Sequence, residues 1–144
     1  MLSSSGKVKI IDFNLARDIG QVTAIAGTQW YMPPDFFTLA SSVDHFVDRY
    51  AIGVILFEPI CKQHPYYEYF AQNIPMKADS LPLSPHAIRS DVTSELSTFL
   101  GRATNPQDWV RFPSASAMAQ AWVHLKQAGP GRCFLNQFQG GSSS

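Results

Sequence analysis

Apolar residues along the chain fall into a few blocks separated by turn-forming stretches. Residues 7–13, Lys-Val-Lys-Ile-Ile-Asp-Phe, are a short β-branched run that becomes nearly continuous in apolar character. That pattern predicts a buried strand or hairpin arm. Residues 17–28 are mixed and contain Gly20 and Gly27, which predicts a loop. Pro33-Pro34 forbids regular helix over 31–35, and residues 36–40 suffice for one helical turn. The strongest helical block is 44–60, where Val47, Tyr50, Ala51, Val54, Ile55 and Phe57 recur with few charges between. A helix apolar on most sides belongs inside a core. Pro59 is expected to end or distort it, because a helical proline removes one hydrogen bond and clashes with the preceding turn.

Pro65 marks a loop, and residues 66–73 predict a short amphipathic helix. Residues 74–90 hold Pro75, Pro82 and Pro85 and predict a surface loop. Leu96, Phe99, Leu100 and Ala103 share one face of a helix predicted over 91–103. Ser114 or Ser116 is positioned to cap a last helix over about 115–127, stopped by Gly129-Pro130-Gly131. Residues 1–6 and the Gly/Ser-containing stretch 128–144 are expected to be flexible. The blocks sum to a mainly α fold, a helical bundle with a short N-terminal β-strand or hairpin.

Composition narrows the function classes. The 144 residues fit one domain, and 45% hydrophobic content with ten Phe excludes a largely disordered chain. Eleven Lys plus Arg balance eleven Asp plus Glu, so neither a nucleic-acid partner held by bulk charge nor a polybasic membrane anchor is expected. Cys61 and Cys133 are too few for a disulfide framework, and Cys61 lies in an apolar run where a buried, reduced thiol is expected. The four histidines show no metal-ligand spacing. No signal peptide is apparent, and the apolar run 51–57 is too short to span a bilayer. A soluble, cytoplasmic setting follows as the default expectation.

The order of the motifs carries more information than any one of them. Asp12-Phe13-Asn14 follows the predicted strand. Gly27-Thr28 and then Tyr31-Met32-Pro33-Pro34-Asp35 come next, and Asp48-Arg49-Tyr50-Ala51-Ile52-Gly53 opens the apolar helix. His64-Pro65-Tyr66 and Ala103-Thr104-Asn105-Pro106 precede Arg111-Phe112-Pro113-Ser114-Ala115. This series resembles the C-terminal lobe of a eukaryotic-type Ser/Thr protein kinase domain, from its Asp-Phe-Gly motif to its last helix. The resemblance covers roughly residues 7–126. It implies a partial C-lobe over 7–127, with an activation segment at 12–35 and a central helix at about 44–58.

The resemblance also implies roles. Asp12 matches the Mg²⁺-binding carboxylate, a hard oxygen ligand for a hard ion, and Phe13 packs beneath it. Asn14 replaces the family glycine and restricts backbone rotation there. Asp12, Phe13 and Asn14 would thus form the nucleotide-side contact. Thr28 matches the threonine that touches the catalytic Asp and shapes the substrate groove, which favours Ser/Thr over Tyr specificity. Thr23 is a candidate phosphosite, with a plain loop threonine as the alternative. Asp35 stands for the Glu of Ala-Pro-Glu, and Arg111 matches its buried ion-pair partner. Asp48 matches the Asp that holds the catalytic loop, and Gly53 fits a small position on the central helix. Pro59 and Lys62 depart from the family pattern, which has an apolar residue and then a glycine. Trp109 and Trp122 are expected to pack the last helices.

No glycine-rich loop, Val-Ala-x-Lys strand or His-Arg-Asp-x-x-x-x-Asn segment occurs in the sequence. ATP and Mg are therefore cofactors by resemblance, with no tight binding expected to the isolated chain. The central helix is expected to expose apolar surface that a catalytic loop normally covers. The leading expectation is a fragment of a Ser/Thr kinase domain, inactive alone. Its partners would be a protein substrate or a complementing polypeptide that carries the N-lobe and catalytic loop. The alternative is a non-catalytic, pseudokinase-like interaction module.

Overall fold

A computed structural model of the chain describes residues 29–34, 45–77 and 79–127. The predicted strand at 7–13, the helical turn at 36–40, and the segments 1–6 and 128–144 lie outside the described residues. The described residues are mainly helical. A 3-10 turn, Gln29–Tyr31, precedes α1 (His45–Cys61), α2 (Tyr67–Ala71), α3 (Pro85–Ile88), α4 (Ser94–Ala103) and α5 (Ala115–Gln127).

Helix α1 is the centre of the bundle, as its near-continuous apolar pattern requires. Tyr50, Val54 and Phe57 are fully buried and Ile60 and Cys61 nearly so. It packs against α4, whose buried residues are Leu96, Phe99, Leu100 and Ala103, the face expected from the sequence. Phe112 and Met118 close this core, with Trp122 of α5 packed at its edge 5.3 Å from the Phe99 ring. A second, smaller cluster joins Tyr50 and Val54 to Tyr66. Burial of these side chains is the main stabilising term, about 1.5–3 kcal/mol for each large apolar residue.

Where α1 meets α4 the backbones come close. A Cβ built on Gly53 would lie 2.8 Å from the Ala103 carbonyl oxygen. The small position expected at Gly53 is thus a helix crossing that only a hydrogen side chain permits.

Side-chain caps open α4 and α5. The Thr93 side chain accepts the Leu96 N–H at 3.3 Å and opens α4. Ser114, rather than Ser116, caps α5: its hydroxyl accepts the Ala117 N–H at 3.0 Å.

Several sequence expectations need correction. Pro59 does not end α1, which continues to Cys61. The helix stops at Lys62, which takes a left-handed φ of 61° while its N–H bonds the Glu58 carbonyl at 2.7 Å. A lysine thus occupies the conformation that usually selects glycine, at a strain of about 1–2 kcal/mol. The 74–90 stretch contains α3, started by Pro85 at its first turn, where the missing proline N–H costs nothing. Trp109 does not pack between the last helices but stands 72% exposed. The central helix does carry exposed apolar residues: Ile52 and Ile55 are 45% and 56% exposed.

Candidate functional site

The segment 29–34 lies beside α1 and the turn that follows it, and specific polar bonds hold it there. Met32, Pro33 and Pro34 are buried, so the Pro-Pro step is an anchor rather than a surface kink. Tyr31 donates its phenolic hydrogen to a carboxylate oxygen of Glu58 on α1 at 3.1 Å. Burial first, and the neighbouring Glu58 charge and hydrogen bond next, push the Tyr31 phenol up from its ordinary value. Both leave the phenol a firm donor.

His64 makes the second attachment. Its Nε2 donates to the Trp30 carbonyl oxygen at 2.6 Å, while its Nδ1 accepts the Tyr66 N–H at 3.0 Å. The ring is almost fully buried. Burial holds the imidazole below its ordinary value, with the Trp30 carbonyl and the Glu58 charge pulling the other way. The Trp30 indole stacks on Phe70 of α2 at 4.3 Å and meets the His64 ring edge-on at 5.8 Å. Trp30 itself stays 46% exposed.

Arg111 is buried beside the Tyr50 ring, 2% exposed. Its guanidinium donates to the Asn105 and Pro106 carbonyls at 2.7 and 3.2 Å and lies 5.8 Å from the centroid of the Tyr50 ring. Tyr66 ties the same loop to the core by donating to the Thr104 carbonyl at 2.7 Å. The loop between α4 and α5 is therefore fixed by side chains that reach its carbonyls.

The expected site residues divide accordingly. Gly53 and Arg111 are buried, and Asp48 lies exposed in the first turn of α1. Asp12, Phe13, Asn14, Thr23, Thr28 and Asp35 lie outside the described residues, and with them the expected Asp35–Arg111 pair. Among the described residues no three His, Cys, Asp or Glu side chains converge on a metal position. Also among them, no helix is long and apolar enough to cross a membrane.

The structure adds Glu58 and His64, to which the sequence assigned no role. Glu58 carried a signal: it is the one charged residue between Arg49 and Lys62. His64 carried a weaker one, a histidine among aromatic residues, and its two partners are visible only once the chain is folded.

Comparison with known proteins matches residues 1–123 to the family model of the protein kinase domain. A probable LIM domain-containing serine/threonine-protein kinase of Dictyostelium discoideum is 32% identical over 79 residues, 53% of this chain and 12% of that protein. The tyrosine-protein kinase MasK of Myxococcus xanthus is 28% identical over 130 residues, 83% of this chain and 19% of that protein. The serine/threonine-protein kinase PknB of Mycobacterium tuberculosis is 25% identical over 148 aligned positions, 90% of this chain and 22% of that protein. The chain thus spans between about an eighth and a fifth of the length of these curated relatives. With its mainly helical fold and a family match over most of its length, the chain belongs to the protein kinase domain family.

Proposed function

We propose that this chain is the protein-substrate side of a Ser/Thr protein kinase domain, its C-lobe from the Asp-Phe-Gly-like motif onward. The observation that carries the reading is the double fastening of residues 29–34 to the helical bundle. Tyr31 bonds Glu58 and His64 bonds the Trp30 carbonyl, directly after Gly27-Thr28. Phosphoryl transfer depends on positioning and charge stabilisation more than on covalent chemistry by the protein. A segment that receives a substrate peptide must therefore sit on a rigid base, and this one does. In this reading Thr28 lines the substrate groove, Asp12 is a Mg²⁺ ligand beside Phe13 and Asn14, and Asp48 orients a catalytic loop. Asp35 pairs with Arg111, and Thr23 is a candidate phosphosite. ATP is the phosphoryl donor and a protein Ser or Thr hydroxyl the acceptor. The setting is cytoplasmic.

The 144 residues contain no glycine-rich loop, Val-Ala-x-Lys strand or His-Arg-Asp segment. A polypeptide of this sequence is therefore inactive alone and needs those parts supplied in cis or by a complementing polypeptide. The exposed Ile52 and Ile55 on α1 support a docking face for them. The test is phosphate transfer from labelled ATP to a Ser/Thr peptide. The chain is assayed alone and with a polypeptide running from a kinase glycine-rich loop to its His-Arg-Asp segment, with Asp12→Ala as control. Transfer is expected only in the mixture and only with Asp12 intact. Asp12-dependent transfer by the chain alone overturns the requirement for complementation. Stable association without Asp12-dependent transfer overturns the catalytic reading in favour of a non-catalytic interaction module.

A further inference from the structure

Pro33 and Pro34 leave the Trp30 carbonyl without a local donor. A 3-10 turn bonds each carbonyl to the N–H three residues on, and an α-turn to the N–H four residues on. For Trp30 those positions are Pro33 and Pro34, and proline carries no N–H. The turn Gln29–Tyr31 therefore cannot continue by backbone bonds from this carbonyl. Both prolines are fully buried, and a carbonyl held beside them costs free energy unless a donor reaches it.

His64 supplies that donor from 34 residues away, at 2.6 Å. The Tyr66 N–H can only donate, so Nδ1 presents a lone pair to it at 3.0 Å and the neutral ring keeps its hydrogen on Nε2. The backbone of the α1–α2 connection thus selects the tautomer that reaches Trp30. The imidazolium carries the same Nε2 hydrogen, so this bond survives protonation of the ring. The ring is 4% exposed, with Phe70 at 5.0 Å and the Trp30 indole edge-on at 5.8 Å to confine it. The next residue, Tyr31, is held from α1 by Glu58. Adjacent residues are therefore fixed from two elements, one through its main chain and one through its side chain.

We propose that His64 is a positioning residue for the substrate-bearing segment: its Nε2–H stands in for the backbone donors that Pro33 and Pro34 lack and sets the path of the main chain through residues 30–34. The peptide unit is planar, so holding the Trp30 carbonyl orients the whole plane that joins Trp30 to Tyr31. His64 acts through that plane and touches no reacting group. A misdirected plane shifts the surface that meets a peptide and leaves the nucleotide side untouched. That the segment receives a peptide rests on the kinase reading; the main-chain hold does not.

Nitrogen-15 NMR of the full, unaltered chain at neutral pH reads the His64 tautomer, and a nitrogen–carbon coupling across the hydrogen bond reads the contact between Nε2 and the Trp30 carbonyl. An Nε2–H tautomer with a measurable coupling is expected; an Nδ1–H tautomer or an absent coupling overturns the proposal. Two variants then separate the donor from the ring. The amide nitrogen of His64→Gln reaches the place of Nε2, and the shorter side chain of His64→Asn reaches only that of Nδ1. In the complemented phosphate-transfer assay His64→Asn should raise KM for a Ser/Thr peptide about tenfold, the worth of one buried hydrogen bond, with KM for ATP unchanged. His64→Gln should restore the parent value. Equal losses in the two variants, or an equal rise in KM for ATP, overturn the positioning role. Pro33→Ala returns an N–H to position 33, so in that background His64→Asn should lower the urea midpoint less than in the parent, and equal costs count against the proposal. The unaltered chain decides even where a variant fails to fold. A complemented chain that transfers no phosphate sinks the kinase reading alone, since tautomer and coupling still decide the hold. Transfer with an unmoved peptide KM in His64→Asn sinks the positioning role alone.

Discussion

Replacing Gly53 by alanine adds one methyl group at the crossing of α1 and α4. The new Cβ would lie 2.8 Å from the Ala103 carbonyl oxygen, 2.9 Å from its carbonyl carbon and 2.9 Å from its Cβ. Carbon contacts are comfortable at about 3.5–4.0 Å, so the methyl is too close to three atoms at once. Two of them are backbone and cannot rotate aside, so α4 must move away from α1. Overpacking of this kind costs about 1–3 kcal/mol, and the rigid neighbours place Gly53→Ala at the upper end. Alanine returns about 1 kcal/mol of helix propensity, which leaves a net loss of about 2 kcal/mol. Gly101 on α4 supplies the control, because a Cβ there meets nothing within 4 Å. Gly101→Ala should keep the propensity gain and stabilise by about 1 kcal/mol. The same chemical change should thus have opposite signs at the two sites. Thermal and urea unfolding followed by far-ultraviolet circular dichroism reads both, at about 4 °C per kcal/mol. Gly53→Ala is expected about 8 °C below the parent and Gly101→Ala about 4 °C above it. A Gly53→Ala protein as stable as the parent, or two variants shifting in the same direction, would refute the crossing argument.

Arg111→Ala should destabilise by about 3 kcal/mol and Arg102→Ala by about 1, because the first strands the part-buried Asn105 and buried Pro106 carbonyls and the second loses only an exposed hydrogen bond to the Val110 carbonyl and a contact over Phe112; equal urea midpoints would contradict this. Lys62→Gly should raise stability by about 0.5–1 kcal/mol by relieving the left-handed φ of 61°, read as a higher urea midpoint with an unchanged slope. The Cys61 thiol is buried and pushed up to about 11, chiefly by desolvation, so in a Cys133→Ser background a disulfide reagent should modify it only as fast as the chain unfolds. Rapid native-state labelling would show that α1 opens locally.

The helices were legible in the sequence because their signals are local. The apolar repeat of α1, the one-faced pattern of α4 and the serine before α5 each arise within a few residues, and the helices run over His45–Cys61, Ser94–Ala103 and Ala115–Gln127. The errors were also local rules overridden by context. Pro59 sits inside α1 without ending it, and the helix stops instead at a strained Lys62. Trp109 reads as core on hydrophobicity alone but lies in a turn that presents it to solvent.

The sequence by itself determined the family, since that rests on the order and spacing of motifs, and it determined the helical class and the apolar face of α4. Tertiary structure alone decided the bonds that close between distant positions: Tyr31 to Glu58, Trp30 to His64, and Tyr66 to Thr104. Those pairs are separated by 27, 34 and 38 residues. No periodicity encodes them. A hydrogen bond depends on where two groups finish to within a few tenths of an ångström, and only the packing of α1 against its neighbours sets that distance.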